Sequence, residues 1–317
     1  MIFSWYRALK DKGILSINQR NADFILPYNS RKLYPLVDDK LKTKQLAIDA
    51  GIAVPTLYAT VENEHQAAEI EKTLAAYDDF VIKPAHGAGG DGILVITAKV
   101  RDKFRKANGQ LLTIDDIKYH LSCTLSGAYS LSGYPDRALI ERRVIVDNVF
   151  ETISHQGVPD LRLIVFLGYP LMAMVRLPTQ QSDGKANLHQ GAIGVGIDLV
   201  SGKTMGGVHH NETIDIHPDT LNNIAGIQVP NWDTILKMAS HFYDLTELGY
   251  LGVDIVLDKH QGPLMLELNA RPGLNIQIAN RTGLVKRFEQ ARKRASEFDD
   301  SLQDKIDFIK REWKNVN

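Results

Sequence analysis

Three residues in the last third of the chain have the types to hold a hard cation: Asp254 in YLGVDIVLD, and Glu267 and Asn269 in PLMLELNARPG. Two carboxylates and an amide oxygen converging among apolar neighbours repel one another unless a cation neutralises them. Mg2+ suits a few such oxygens together with phosphate oxygens. Period two puts Glu267 and Asn269 on one face of a strand, and a hairpin through DKHQG brings Asp254 towards them. The same residues would also serve as the solvated outer face of an edge hairpin. The run that follows favours the cation, because Arg271, Pro272 and Gly273 make a sharp, positively charged turn beside the carboxylates.

A second group lies in VIKPAHGAGGDGI, where Lys83 ends a strand and four glycines follow. Glycines let backbone N–H groups approach phosphate oxygens with no Cβ in the way, and those dipoles carry partial positive charge. A plain hairpin turn has the same composition. No Gly-Lys-Ser/Thr follows, so this is not a Walker loop.

The elements that must position these groups are legible in outline. DDKLKTKQLAIDAGIAVP predicts a helix ending near Ala50, stopped by Gly51 and Pro55, after which the chain is extended. A helix is expected from Ala67 to Ala76, then strands at Phe80–Pro84 and Gly92–Thr97. Thr113 and Asp116 form a capping pair ahead of Ile114, Ile117, Leu121 and Leu125, whose spacing is helical. Strands are expected in ALIERRVI, LRLIVFLG, PLMAMVRLP and GAIGVGIDL. A helix through Ile235, Met238, Ala239 and Phe242, capped by Asn231 or Asp233, leads to the hairpin that carries the acidic group. The fold class is α+β (mixed α/β), with two lobes around a cleft.

Composition narrows the function classes. The 317 residues carry a formal net charge of -1, with 44% hydrophobic and 24% charged residues, which is the profile of a globular protein with no footprint for nucleic acid. No run approaches a membrane span and the N-terminus lacks a signal-peptide core, so a cytoplasmic setting without membrane insertion is expected. Cys123, the single cysteine, has no internal partner and is expected as buried filler.

The motifs together resemble the ATP-grasp superfamily and, within it, the RimK-like alpha-L-glutamate ligases, from Asp38 to about Asn275. The resemblance implies an ATP-grasp fold whose two lobes clamp ATP between antiparallel sheets. It places a truncated N-terminal domain or short lead-in at 1–37, an N-terminal lobe at 38–140 with a lid at 86–92, a C-terminal lobe at 141–282 and a helical tail at 283–317. Lys40 would reach the α-phosphate; Lys83 and the loop residues His86, Gly87, Gly89 and Gly90 would meet the β- and γ-phosphates. Glu141 and the backbone of Arg142, in LIERRV, would read the adenine edge. In PDLRLIVF, Asp160 would bond the ribose and Arg162 would face phosphate or substrate; the two residues alone would equally make a surface ion pair. SDGKANLHQGAIGVG resembles the RimK-like run most closely, with Lys185 and Asn187 on phosphate. His189 there is open between proton shuttle, phosphate donor and loop contact. Asp254, Glu267 and Asn269 would hold Mg2+, with two ions expected and Mn2+ able to substitute. Arg176 and Arg271 complete the cations, Arg176 for a substrate carboxylate or as a surface arginine.

The activity implied is an ATP-dependent ligase that joins a small-molecule or peptide carboxylate to an amino-acid amine, such as glutamate, through an acyl phosphate. The alternatives are a catalytically silent ATP-binding regulatory protein and a phosphotransferase that stops before ligation. A homo-oligomer is compatible with either. The stretch RVIVDNVFETISHQGVP is longer than the family's usual segment before Asp160 and is expected to wall the substrate pocket differently.

Overall fold

The computed structural model describes residues 2–314 apart from Ala88, Leu131 and Ser132, with side chains from Arg7 onward. Ala88, inside the expected lid, therefore lies outside the described residues. The chain divides into two compact units, one of residues 39–45 and 54–145, the other of residues 1–38, 46–53 and 146–317.

The smaller unit is built on a six-stranded antiparallel sheet of β1 (Leu57–Val61), β2 (Phe80–Pro84), β3 (Leu94–Val100), β4 (Lys103–Lys106), β5 (Leu111–Leu112) and β6 (Ala138–Glu141), in the order β1-β6-β2-β3-β4-β5. Its helix Ile114–Leu125 starts at a capping box: Asp116 N–H donates to Thr113 Oγ1 at 3.2 Å and Thr113 N–H to Asp116 Oδ2 at 2.7 Å. Ile117 and Leu121 on this helix are fully buried with Phe80, Ile82, Ile96 and Ile140 of the sheet. The expected helix 67–76 is two short ones, Glu64–Ala68 and Ile70–Leu74, because Glu69 leaves the helical conformation. Cys123 is only half-buried, so it is not core filler.

The larger unit holds a seven-stranded antiparallel sheet of β7 (Asp160–Phe166), β8 (Tyr169–Leu177), β9 (Ile193–Ile197), β10 (Thr204–His209), β11 (Glu212–Ile214), β12 (Tyr250–Asp258) and β13 (Gly262–Asn269), in the order β11-β10-β9-β8-β7-β12-β13. Every residue of β7 and β12 is buried. Helices Trp232–Thr246, Val285–Glu297 and Leu302–Glu312 pack on β7 and β8. The helix at 232 is not capped by a side chain: Asn231 is left-handed (φ 55°), and Asp233 falls inside the first turn.

The segment 2–38, expected as a separate lead-in, belongs to this unit, as does the tail after 283. Phe24 lies tilted against Phe288, ring centroids 4.0 Å apart, and meets Phe166 edge-on at 5.6 Å. No helix among the described residues is long and apolar enough to cross a membrane.

Candidate active site

The register of the larger sheet gathers six of the expected residues. Asp254 sits opposite Glu267 on β13 and opposite Arg162 on β7, and Asp160 sits opposite Arg176 on β8. Alternation then puts Asp160 with Arg162, and Glu267 with Asn269, on the same face. A single face across β8, β7, β12 and β13 thus carries Arg176, Asp160, Arg162, Asp254, Glu267 and Asn269. The solvated edge hairpin is excluded for Asp254, which is 1% exposed.

The charges on this face pair in a chain. Arg162 grips Asp254 with Nε and Nη2, and Arg176 grips Asp160 with Nε and Nη2. Arg176 Nη2 also donates to Asp254 Oδ2 at 2.8 Å, joining the two pairs. Burial alone would raise Asp254, but Arg162 and Arg176 outweigh it and hold the carboxyl below its usual range. Asp160 goes the other way: burial, reinforced by the nearby Asp254 charge, pushes it up against the pull of Arg176. A surface ion pair is therefore not what Asp160 and Arg162 make.

Asn269 Nδ2 lies 3.3 Å from Asp254 Oδ2 and 3.4 Å from Glu267 Oε1. One position is thus within reach of an amide and two carboxylates. Rotating the amide presents its oxygen there, giving three oxygen donors of the kind Mg2+ takes. The donor types fit the ion, and Asp254 would have to release an arginine to take part, since Arg162 and Arg176 hold both of its oxygens.

Other expected residues make contacts of their own. Arg271 is exposed and lies over the Tyr34 ring at 5.4 Å. Lys185 and His189 are exposed on the 178–191 loop. Asn187 spends its side-chain oxygen on the backbone, accepting from His189 N–H at 3.0 Å to start the short turn Leu188–Gln190. That loop is tied down: Gln180 N–H donates to Asp219 at 2.7 Å, and Gly157 leaves so little room that an added Cβ would sit 1.9 Å from the Gly184 oxygen. The longer stretch before Asp160 folds around a shallow hollow lined by Asp147, Glu151 and Gln156.

In the smaller unit, Lys83 Nζ is 2.6 Å from Glu141 Oε2. Glu141 is 2% exposed, and Lys44 Nζ lies 2.9 Å from its other oxygen. Glu141 thus stands as the counter-ion of two lysines, one at each carboxylate oxygen. The Arg142 N–H donates to Thr56 O at 2.8 Å.

Lys40 Nζ donates to Gly87 O at the start of the glycine-rich loop. His86 anchors the same point, with Nδ1 2.7 Å from Asp136 Oδ1 and its N–H on Asp136 Oδ2 at 2.9 Å. Gly89 and Gly90 have φ of 66° and 85°, backbone that only glycine adopts without strain. Lys44 was not among the expected site residues. Its signal in DDKLKTK is the third lysine of the run, one helical turn after Lys40, on a stretch too polar to advertise a buried face.

Two antiparallel sheets, one with a lysine-bearing glycine-rich loop and one with a carboxylate, amide and arginine face, define an ATP-grasp protein. The chain belongs to the family described as sugar-transfer associated ATP-grasp, whose profile it matches over residues 19–293. This is the superfamily the motifs resemble. No curated protein matches the chain.

Among solved structures it is similar to Rhizobium etli pyruvate carboxylase, at 16% identity and a TM-score of 0.50, covering 90% of this chain and 22% of that one. It is also similar to the ATP-grasp ligase PsnB in complex with a minimal precursor, at 17% identity and a TM-score of 0.44, covering 84% and 63%. A RiPP-associated ATP-grasp ligase of Chryseobacterium gregarium, in complex with ADP and a leader and core peptide, is 13% identical with a TM-score of 0.47, covering 86% and 63%. The chain thus spans less than two thirds of the length of each of these proteins, and the likeness concerns the fold.

Proposed function

We propose that this protein is an ATP-dependent ligase that joins a carboxylate to an amine through an acyl phosphate. The observation that carries the reading is the single sheet face on which Asp254, Glu267 and Asn269 converge beside Arg162 and Arg176. In the reaction a substrate carboxylate oxygen attacks the γ-phosphorus of ATP and ADP leaves. The amine nitrogen then attacks the acyl carbon, phosphate leaves, and the nitrogen gives up a proton.

Asp254, Glu267 and Asn269 would hold Mg2+, two ions with Mn2+ as a substitute, which when bound neutralises charge on the phosphates of ATP. Arg162 and Arg176 hold fixed positive charge where the transferring phosphoryl group and the attacking carboxylate need it, without reorganisation at the moment of reaction. Lys40, Lys83 and the loop 86–92 contact the nucleotide, and closing that loop keeps water from the acyl phosphate. Lys185 and Asn187 serve as further phosphate contacts and His189 as a loop contact.

The test is ADP release with Mg-ATP across a matrix of amino acids, short peptides and carboxylates, with products identified by mass. Carboxylated and aminated sugars belong in it, because the family is described as associated with sugar transfer. Amine-dependent ADP release with an amide product is expected. Glu267→Gln should lower turnover by roughly 10²–10³, the scale of removing one charge-stabilising group; full turnover in that variant overturns the assignment. We place the reaction in the cytoplasm, with a peptide or small molecule as carboxylate donor.

A second reading has one observation in its favour. Both oxygens of Asp254 are engaged by arginines, as in an ATP-binding protein that has lost catalysis. ATP binding with no ADP release under any pair of substrates would select it.

A further inference from the structure

Lys44 is assigned no part by the family motifs, yet it is one of the most deeply buried cations in the smaller unit, its side chain 5% exposed. It lies on the helix Lys40–Asp49 and donates to the Pro55 carbonyl. The charged groups that act on it are Glu141 on β6 and Lys83 on β2. Two lysines therefore share one buried carboxylate, leaving a surplus of one positive charge.

A surplus cation beside a buried ion pair is unfavourable unless it is needed. Consider the smaller unit with Lys83 turned from Glu141 to a phosphate oxygen, as the proposed nucleotide contact requires. Without a second cation, Glu141 would be left as an uncompensated buried charge, which is strongly destabilising. With Lys44 in place the carboxylate keeps a partner, and Lys83 can exchange between Glu141 and phosphate at low cost.

We propose that Lys44 is a positioning residue: it is the resident counter-ion of Glu141, and its charge is what frees Lys83 to bind the nucleotide. The inference rests on the nucleotide reading above and deepens it.

Burial lowers the Lys44 ammonium to about 8, with the neighbouring Lys83 adding to the effect and Glu141 opposing it. Its charge is thus present below about pH 8 and lost above. With Lys44 neutral, Lys83 must stay on Glu141, so nucleotide binding is expected to weaken on the alkaline side.

The experiment measures binding of Mg2+ with a non-hydrolysable ATP analogue by calorimetry from pH 6.5 to 9.5, for wild type, Lys44→Arg and Lys44→Met. Circular dichroism and melting establish that each variant is folded. Wild type should lose affinity above pH 8 with a slope approaching about tenfold per pH unit, one proton per site. Lys44→Arg, charged throughout, should bind without that limb. Lys44→Met should bind more weakly by a factor on the order of 10² at neutral pH, with a flat profile up to pH 9.

A merely structural role for Lys44 would shift all pH values together and leave the limb in place. Retention of the limb in Lys44→Arg, or wild-type affinity in Lys44→Met, overturns the inference. Should Lys44→Met not fold, the comparison of wild type with Lys44→Arg decides alone. A wild type that binds no analogue at neutral pH overturns the nucleotide reading and this inference with it, whereas binding with an unchanged limb overturns this inference only.

Discussion

Arg176 is the residue on which the charged face depends, because its guanidinium donates to both Asp160 and Asp254. Replacing it with methionine keeps most of the apolar stem and removes the guanidinium, leaving Asp160 without its partner in a buried position. Breaking a buried pair in this way costs about 3–5 kcal/mol. Urea denaturation of Arg176→Met at pH 8 should show that loss. The pH dependence has a definite sign. Burial and Asp254 already raise Asp160 above its unfolded value, so the folded form takes up a proton that the unfolded chain does not. The deficit of Arg176→Met is therefore largest at alkaline pH and shrinks as pH falls through neutrality towards 5, where Asp160 is neutral. A deficit that grows on acidification would mean that the carboxyl is depressed and that the arginine's role is different. Activity should be lost at every pH, since the same guanidinium is needed on the reacting face.

At the scale of elements, Gly157 and Gly184 are where the stretch before β7 meets the loop that carries Lys185 and Asn187. Gly157 has φ of 70°, and an added Cβ would lie 1.9 Å from the Gly184 oxygen, a backbone atom that moves only with its loop. Gly157→Ala should therefore raise the KM for ATP several-fold and cost about 1–3 kcal/mol of strain. Gly226→Ala is the matched control: φ is 88° and nothing lies within 4 Å, so it carries the left-handed strain without the displacement. Steady-state kinetics of the two variants separate the effects, and equal KM values would show that the contact does not position the loop. The elements legible in the sequence were those whose pattern and burial agree. The hairpin of β12 and β13, with its alternating carboxylate and amide, and the helix opened by Thr113 and Asp116 are the clearest cases. Strands β4, β5, β10 and β11 were not legible, because KFRK, LL, TMGGVH and ETI at sheet margins lack an apolar alternation and are held by neighbouring strands. The pattern of ALIERRVI predicts one strand throughout, whereas β6 stops at Glu141. The Lys44–Glu141 contact joins residues 97 positions apart, and local pattern carries no sign of it.

For the molecule as a whole, the sequence left 1–37 as a lead-in too short to be a domain, and the structure gives it a structural duty in the larger unit. Asn29 acts as a surrogate strand at the start of β12: its Nδ2 donates to Tyr250 O at 2.8 Å and its Oδ1 accepts from Tyr250 N–H at 2.8 Å. Leu15 does the reverse with a side chain from the far end of the unit, its N–H on Gln277 Oε1 at 2.8 Å and its carbonyl accepting from Gln277 Nε2 at 3.0 Å. Arg20 donates to Pro272 O at 2.8 Å, in the turn directly after the expected metal ligands. Phe24, 3% exposed, fills the space between Phe166 and Phe288. Truncating Phe24 to alanine should cost about 3–5 kcal/mol through lost burial and the cavity left behind. Deleting residues 1–33 removes that contact and leaves the Tyr250 amide and carbonyl without their partners, each orphaned group costing about 1–3 kcal/mol more. The sum approaches the whole stability of an ordinary domain, about 5–15 kcal/mol. The deletion should therefore yield a chain with no cooperative melting transition, while Phe24→Ala melts cooperatively but lower. A deletion variant that melts within a few degrees of the intact chain would show that the segment is an accessory, and would return the question of its duty to the substrate.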